Sequence, residues 1–282
     1  MIRYGMLGWG LAAVLIVLTE RAEAGWVIDQ VMRGEGGAAR MQALIQANRV
    51  KNVALGPDGS PATALIMDLS AETITQVDYQ GRRYMVATFQ EYAQMLRGAQ
   101  QAMQGQMAEA MRQMQEAMKN MPPEQRQQME QMMRSQMGQA GGAPQDCQEP
   151  RLEVRRTGQR VTIAGYAAER HDVLADGAPE SEIWVAGAID AWREVDLQKL
   201  ERFGAEMAKV MPGCGRGPAR FPGSDPTWRL AGEGYPVRMV HHGAGGATTE
   251  VTKAERRSIP AAEFQPPAGF ARRPFQEFMG GR

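Results

Sequence analysis

The sequence is short of cysteine, of aromatic residues and of net charge, and each shortage excludes something. Only Cys147 and Cys214 occur in 282 residues. Neither sits in a C-x-x-C or beside a histidine, which argues against a redox motif or a Cys/His metal site. The pair leaves three readings: one disulfide in an oxidising compartment, two free thiols, or a metal or catalytic role. A disulfide would close a long loop, worth about 3–4 kcal/mol on the chain-entropy model. Lys and Arg number 32 and Asp and Glu also number 32, so no overall field draws nucleic acid or anionic lipid to the chain. Nucleic acid is therefore not an expected partner. No G-x-S-x-G or H-E-x-x-H is present. Gly243-Ala244-Gly245-Gly246 lacks the pattern and the helix start of a phosphate loop and reads as a hairpin turn. The acidic residues, such as Asp68, Asp78 and Glu250, are scattered along strands. The expectation is a protein that is not an enzyme and needs no cofactor.

Long apolar runs are also absent, save one at the start. Arg3 precedes the run Met6 to Leu18, and Ala22-Glu23-Ala24 supplies a small-x-small cleavage signal. The run falls short of the roughly 20 residues of a membrane-spanning helix. Cleavage between Ala24 and Gly25 would release a chain with no stable membrane span, outside the cytoplasm. Gly25 stands where a lipoprotein would carry cysteine. The expected location is periplasmic or secreted.

What the chain does have is a sharp change of texture in its middle. Gln90 to Gly138 contains eleven of the 21 methionines and no Val, Ile or Thr. Met103, Met107, Met111, Met114, Met118 and Met121 follow at helical intervals, one stripe on one face. Met121-Pro122-Pro123 stops that helix, and Met129 to Met137 continue the stripe on a second. The expectation is a helical hairpin over a sheet face. On either side lie β-branched runs broken by turn formers. Before the insert stand WVIDQVM, RMQALIQANRVKNV, ATALIMDL, ETITQVDY and RRYMVAT; in ETITQVDY the alternation predicts one drier face. After it come RLEVRRT, RVTIAGYAAERHDVL and SEIWVAG, a short amphipathic helix over 196–210, and a hairpin of YPVRMVHH with ATTEVTKAERR. The expected organisation is one domain of the mainly β, α+β class. It comprises a leader (1–24), a first β half (25–89), a helical insert (90–138) and a second β half (139–282).

Several of these pieces resemble a known arrangement. The Met/Gln-rich insert, the TIAGY segment at Thr162 to Tyr166, Ile183-Trp184 and the closing pattern Ile259, Phe264, Pro267, Gly269 and Phe270 together resemble an uncharacterised family of secreted bacterial proteins. Its members look like distant relatives of the LolA/LolB lipoprotein carriers. The resemblance implies a strongly curved antiparallel sheet, an unclosed β-barrel around a hydrophobic hollow, with helices as a lid. Family members often carry a cysteine just after the GY of TIAGY. Here Ala167 and Ala168 stand there, so a disulfide at that position does not transfer.

Candidate sites follow from chemistry and spacing. Trp26, Ile66, Met85, Trp184, Val237 and Met239 are candidates to line a pocket for a lipid or other apolar small molecule; their plainer reading is core. Met107, Met111, Met114 and Met118 place soft thioethers on one helical face, which suits Cu(I) on the oxidising side of a membrane. The same stripe suits an adaptable surface for an envelope protein partner. His241 and His242, adjacent on a strand, point to opposite faces and cannot chelate together. His171, beside Asp172, reads as a surface or interfacial histidine.

Overall fold

The computed structural model describes residues 24–119, 150–210, 226–243 and 246–279. Before the helical insert come β1 (Ala24–Gly34), β2 (Gly37–Gln46), β3 (Arg49–Leu55), β4 (Pro61–Asp68), β5 (Thr73–Asp78) and β6 (Arg83–Thr88). After it come β7 (Leu152–Ile163), β8 (Tyr166–Ala175), β9 (Ala178–Ala186), β10 (Tyr235–His241), β11 (Thr248–Ser258) and β12 (Ala271–Arg272). The helices are α1 (Phe89–Lys119), α2 (Leu197–Val210) and α3 (Phe275–Met279).

All twelve strands join one sheet in the order β12-β6-β5-β4-β3-β2-β1-β11-β10-β9-β8-β7. Two antiparallel meanders meet where β1 pairs with β11; most successive strands are joined by hairpin connections too short for any other partner, while β9 and β10 pair across residues 187–234. The sheet is curved and unclosed, with β7 and the two-residue β12 at its ends. β1 lies near the middle and is covered on both faces, so Trp26, Val27 and Ile28 are all buried. The ends are protected in different ways. β12 pairs in parallel with Arg83 and Tyr84 of β6, while β7 carries Arg155, Arg156 and Arg160, charges that discourage another strand from adding there.

Two expected strands turn out to be hairpins. RMQALIQANRVKNV folds back at Ala47 and Asn48, both left-handed (φ 47° and 61°), the geometry of a two-residue hairpin turn. Tertiary contacts hold it. The Asn48 N–H donates to the Glu194 carbonyl at 2.7 Å and its carbonyl accepts from the Leu69 N–H at 2.9 Å. Its side-chain oxygen accepts from the Asp196 N–H at 2.6 Å. TIAGY is likewise a turn between β7 and β8, with Ala164 and Gly165 left-handed (φ 49° and 85°).

Both faces of β5 are covered, in place of the one dry face expected. Ile74 packs under the helices with Phe203 and Met207. Val77, with Tyr79 beside it, packs on the other face under Phe264 and Phe270. That second cover is a strap formed by residues 259–270. Ile259 and Phe264 seat among Val27, Leu44, Val53 and Ile66, and Arg49 and Arg82 stack over Phe264 and Phe270. The strap is pinned by Lys51, which is buried and pairs with Glu263 at 2.9 Å.

Candidate functional site

The helix-bearing face holds a hollow of about 470 Å³. Its position follows from how the two helices are anchored. α1 begins at a reciprocal capping box: the Thr88 hydroxyl accepts from the Glu91 N–H at 3.2 Å, and the Glu91 carboxylate accepts from the Thr88 N–H at 2.8 Å. Hydrogen bonds from the Thr88 N–H and hydroxyl hold the Glu91 carboxyl below its ordinary range. α2 is capped by Asp196, whose carboxylate accepts from the Lys199 N–H at 3.1 Å. Phe89 and Phe203 join the two helices, ring centroids 4.2 Å apart. α2 packs along its length through Leu200, Phe203, Met207 and Val210, and the hollow lies between the two helices and the strands.

Burial grades along the hollow. Ile45, Val50, Leu200 and Tyr235 at its floor are buried, Tyr92 and Leu96 are half-buried, and Asn52 is exposed. Strand register orders these residues: Val50 pairs with Ile45 and Met67, whereas Asn52, two residues on, pairs with Ala43 and Leu65. Trp192 closes the side, stacked on Tyr235 at 5.6 Å and edge-on to Trp228 at 5.3 Å.

None of the thirteen lining residues carries a formal charge. The two buried or half-buried phenols are each satisfied by an amide: Gln30 Nε2 donates to Tyr235 Oη at 2.6 Å, and Gln76 Nε2 to Tyr92 Oη at 2.9 Å. Burial pushes the Tyr235 hydroxyl up to about 12, the Gln30 hydrogen bond opposing it. Tyr92 is also raised, by burial first. The site can therefore bury apolar surface and offer neutral hydrogen-bonding groups.

The six pocket candidates from the sequence fall elsewhere. Trp26, Trp184 and Val237 belong to the same buried cluster as the floor residues Ile45, Val50, Leu200 and Tyr235 but do not line the hollow. Ile66 lies on the opposite face under the strap, and Met239 packs against the cluster of Ile183 and Leu230. Met85 lines a separate pocket of about 330 Å³ at the β6 edge. The residues that do line the hollow, such as Ile45, Phe203, Trp192 and Tyr235, are not among the sequence candidates; the one signal for them is the amphipathic period of α2.

Met103, Met107, Met111 and Met114 do not lie on the sheet. Among the described residues, α1 packs through its first turns, at Phe89, Tyr92, Ala93 and Leu96. Met103 and Met107 are 60% and 65% exposed, and Met111 and Met114 both 44%. Met118 lies further along α1. The second half of the expected hairpin, from Met121 on, lies outside the described residues, as do Cys147 and Cys214. Ala24 and Gly25 open β1.

The polar candidates have structural partners. Asp68 accepts from the N–H groups of Ser70 and Ala71, both at 2.9 Å. Asp78 accepts from the Gly81 N–H and pairs with Arg83, which together hold its carboxyl below its usual range. Glu250 pairs with Arg238 at 2.6 Å. His242 stands 3.2 Å from Glu182, and His241 ends β10. His171 is no surface residue. It is 2% exposed, 3.4 Å from Glu233. Among the described residues no group of three His, Cys, Asp or Glu side chains is placed to hold a metal.

A family model described as Domain of unknown function (DUF4412) matches residues 225–270, and the closing pattern from Ile259 to Phe270 lies inside it. No curated protein matches the chain in sequence. An uncharacterised conserved protein from Thermus thermophilus is 10% identical, with a TM-score of 0.40, over 90% of this chain and 92% of its own. A PNGF-II structure gives 9% and 0.38 over 91% of this chain, and the MucA/MucB complex of Pseudomonas aeruginosa 9% and 0.36 over 88%. The alignments span only 32% of the PNGF-II chain and 57% of the other. At these scores the likenesses carry no information about ligand or activity.

Proposed function

We propose that this is a non-enzymatic envelope protein that binds a lipid or other apolar molecule in the hollow of its helix-bearing face. The observation carrying this reading is the uncharged, largely apolar lining from Ile45 to Leu96, of a volume within the roughly 300–1,000 Å³ usual for ligand pockets. The mechanism is shielding. Apolar burial at about 25 cal/mol per Å² holds the cargo with no bond made or broken. Export by the leader would place it in the periplasm; among the described residues no helix is long and apolar enough to cross a membrane. Mass spectrometry of the purified protein should find a co-purifying lipid, and the delipidated protein should take up a fluorescent acyl probe saturably. Failure of both would end the reading.

A second reading has the exposure of Met103, Met107, Met111 and Met114 in its favour. That face suits an envelope partner, or Cu(I) held by thioethers. Replacing Met107, Met111, Met114 and Met118 together with leucine keeps the helix propensity and should abolish Cu(I) binding. Unchanged copper affinity in that variant would remove the metal form of the reading.

A further inference from the structure

We infer that the hollow takes a single-chain amphiphile, tail first, with an uncharged hydrogen-bonding head held at Asn52. This rests on the binding role proposed above and names the class of ligand.

Volume limits the chain count. A methylene displaces roughly what a water does in the liquid, about 30 Å³, so a hollow of about 470 Å³ matches about sixteen methylenes. That is the scale of one long acyl chain. A two-chain phospholipid needs about twice that space.

Direction comes from the burial gradient. The floor at Ile45, Val50 and Leu200 is apolar and closed to solvent. The floor's polar atom, Tyr235 Oη, already accepts a hydrogen bond from Gln30. A head group sent there would lose its water for little return. Asn52 is the exposed member of the lining, and its amide both donates and accepts. Tyr92, bonded to Gln76, stands on the same rim.

Head-group charge is decided by what is missing from the lining. Among the described residues no Lys, Arg or His lines the hollow to compensate a carboxylate or phosphate. Lys199, on α2 beside Leu200, is spent on the Leu69 carbonyl at 3.0 Å. A cationic head fares no better, for the lining holds no Asp or Glu. An alcohol, glyceryl ester or amide needs only the donors and acceptors that Asn52 offers.

The test is competition against a bound fluorescent acyl probe on delipidated protein, using monopalmitoylglycerol, palmitate and dipalmitoylphosphatidylcholine. At about pH 8, where a carboxylic acid is ionised, the monoacylglycerol should compete at least tenfold better than palmitate, and the two-chain lipid worst. Acidification through the carboxylic range should bring palmitate toward the monoacylglycerol. Asn52→Leu should weaken the monoacylglycerol several-fold while leaving an all-hydrocarbon competitor unchanged. Ionised palmitate competing as well as the monoacylglycerol, or an Asn52→Leu protein with undiminished monoacylglycerol affinity, would overturn the inference while leaving the binding role intact. No saturable probe uptake at all would overturn both.

Discussion

On one face of the sheet Val27, Leu44, Ile66 and Val77 lie sealed beneath Ile259 and Phe264. On the other, Ile45, Val50 and Met67 line a hollow beneath α1 and α2. The strands are the same; the covers differ. The strap drops its aromatic rings directly onto the sheet, where Phe264 is buried and Phe270 packs against the same cluster. The helices are stiff rods fixed at their starts by Thr88, Glu91 and Asp196, and a rod cannot follow a curved surface. The hollow lies between these helices and the strands. One face therefore supplies stability and the other has room for a ligand.

That division can be broken by substitution. Phe264→Ala should cost about 3–5 kcal/mol, the range for a buried aromatic, measured by urea denaturation, with acyl-probe affinity unchanged. A loss of binding as large as the loss of stability would show that the faces are not independent. Ile28→Ala, in the central strand and fully buried, should cost about 2–5 kcal/mol and lower stability without changing which ligands compete. Thr88→Ala removes one half of the capping box and should cost about 1 kcal/mol. It should also loosen the rim at Tyr92, so probe release should quicken while the strap-bearing face is untouched.

Alkaline pH separates the faces more finely. The Tyr235 hydroxyl is raised from 10.0 to about 12 in the folded protein. Its contribution is fully present below pH 10 and is lost as the pH rises through about 12, because the unfolded chain ionises first. The urea midpoint should fall across that window, and Tyr235→Phe should flatten the fall. At the acid end the lowered Asp78 carboxyl works the other way. Its contribution is present above the ordinary carboxylate range and fades as the pH drops below it. Asp78→Asn should reduce the acid loss slightly, since the group is near the surface.

Much of the architecture is legible in the residues, and the parts that are not have physical reasons. Alternation and turn formers mark the strand-rich halves, and the period of Met103 to Met118 marks α1. The turns at Ala47-Asn48 and Ala164-Gly165 are hidden because alanine in a left-handed conformation advertises nothing; contacts from Glu194, Leu69 and Asp196 decide the first. The capping box Thr88-x-x-Glu91 is a sequence signal in its own right and marks where α1 begins. The hollow is less visible. Ile45, Val50 and Tyr235 look like any core residues in sequence, and only their place beneath α1 and α2 makes them a lining. Trp26 and Trp184 are as apolar, but they sit where neighbours close in.

The most direct measurement is equilibrium titration of a fluorescent acyl probe into delipidated protein, wild type beside Ala43→Phe, which fills the hollow at its wall. The account predicts saturable one-to-one binding by the wild type. It predicts at least a tenfold loss in the filled variant, at a stability cost of about 1–3 kcal/mol, the range for added bulk at a buried position. Equal binding by both proteins would contradict it, because the probe would then be held somewhere other than the hollow.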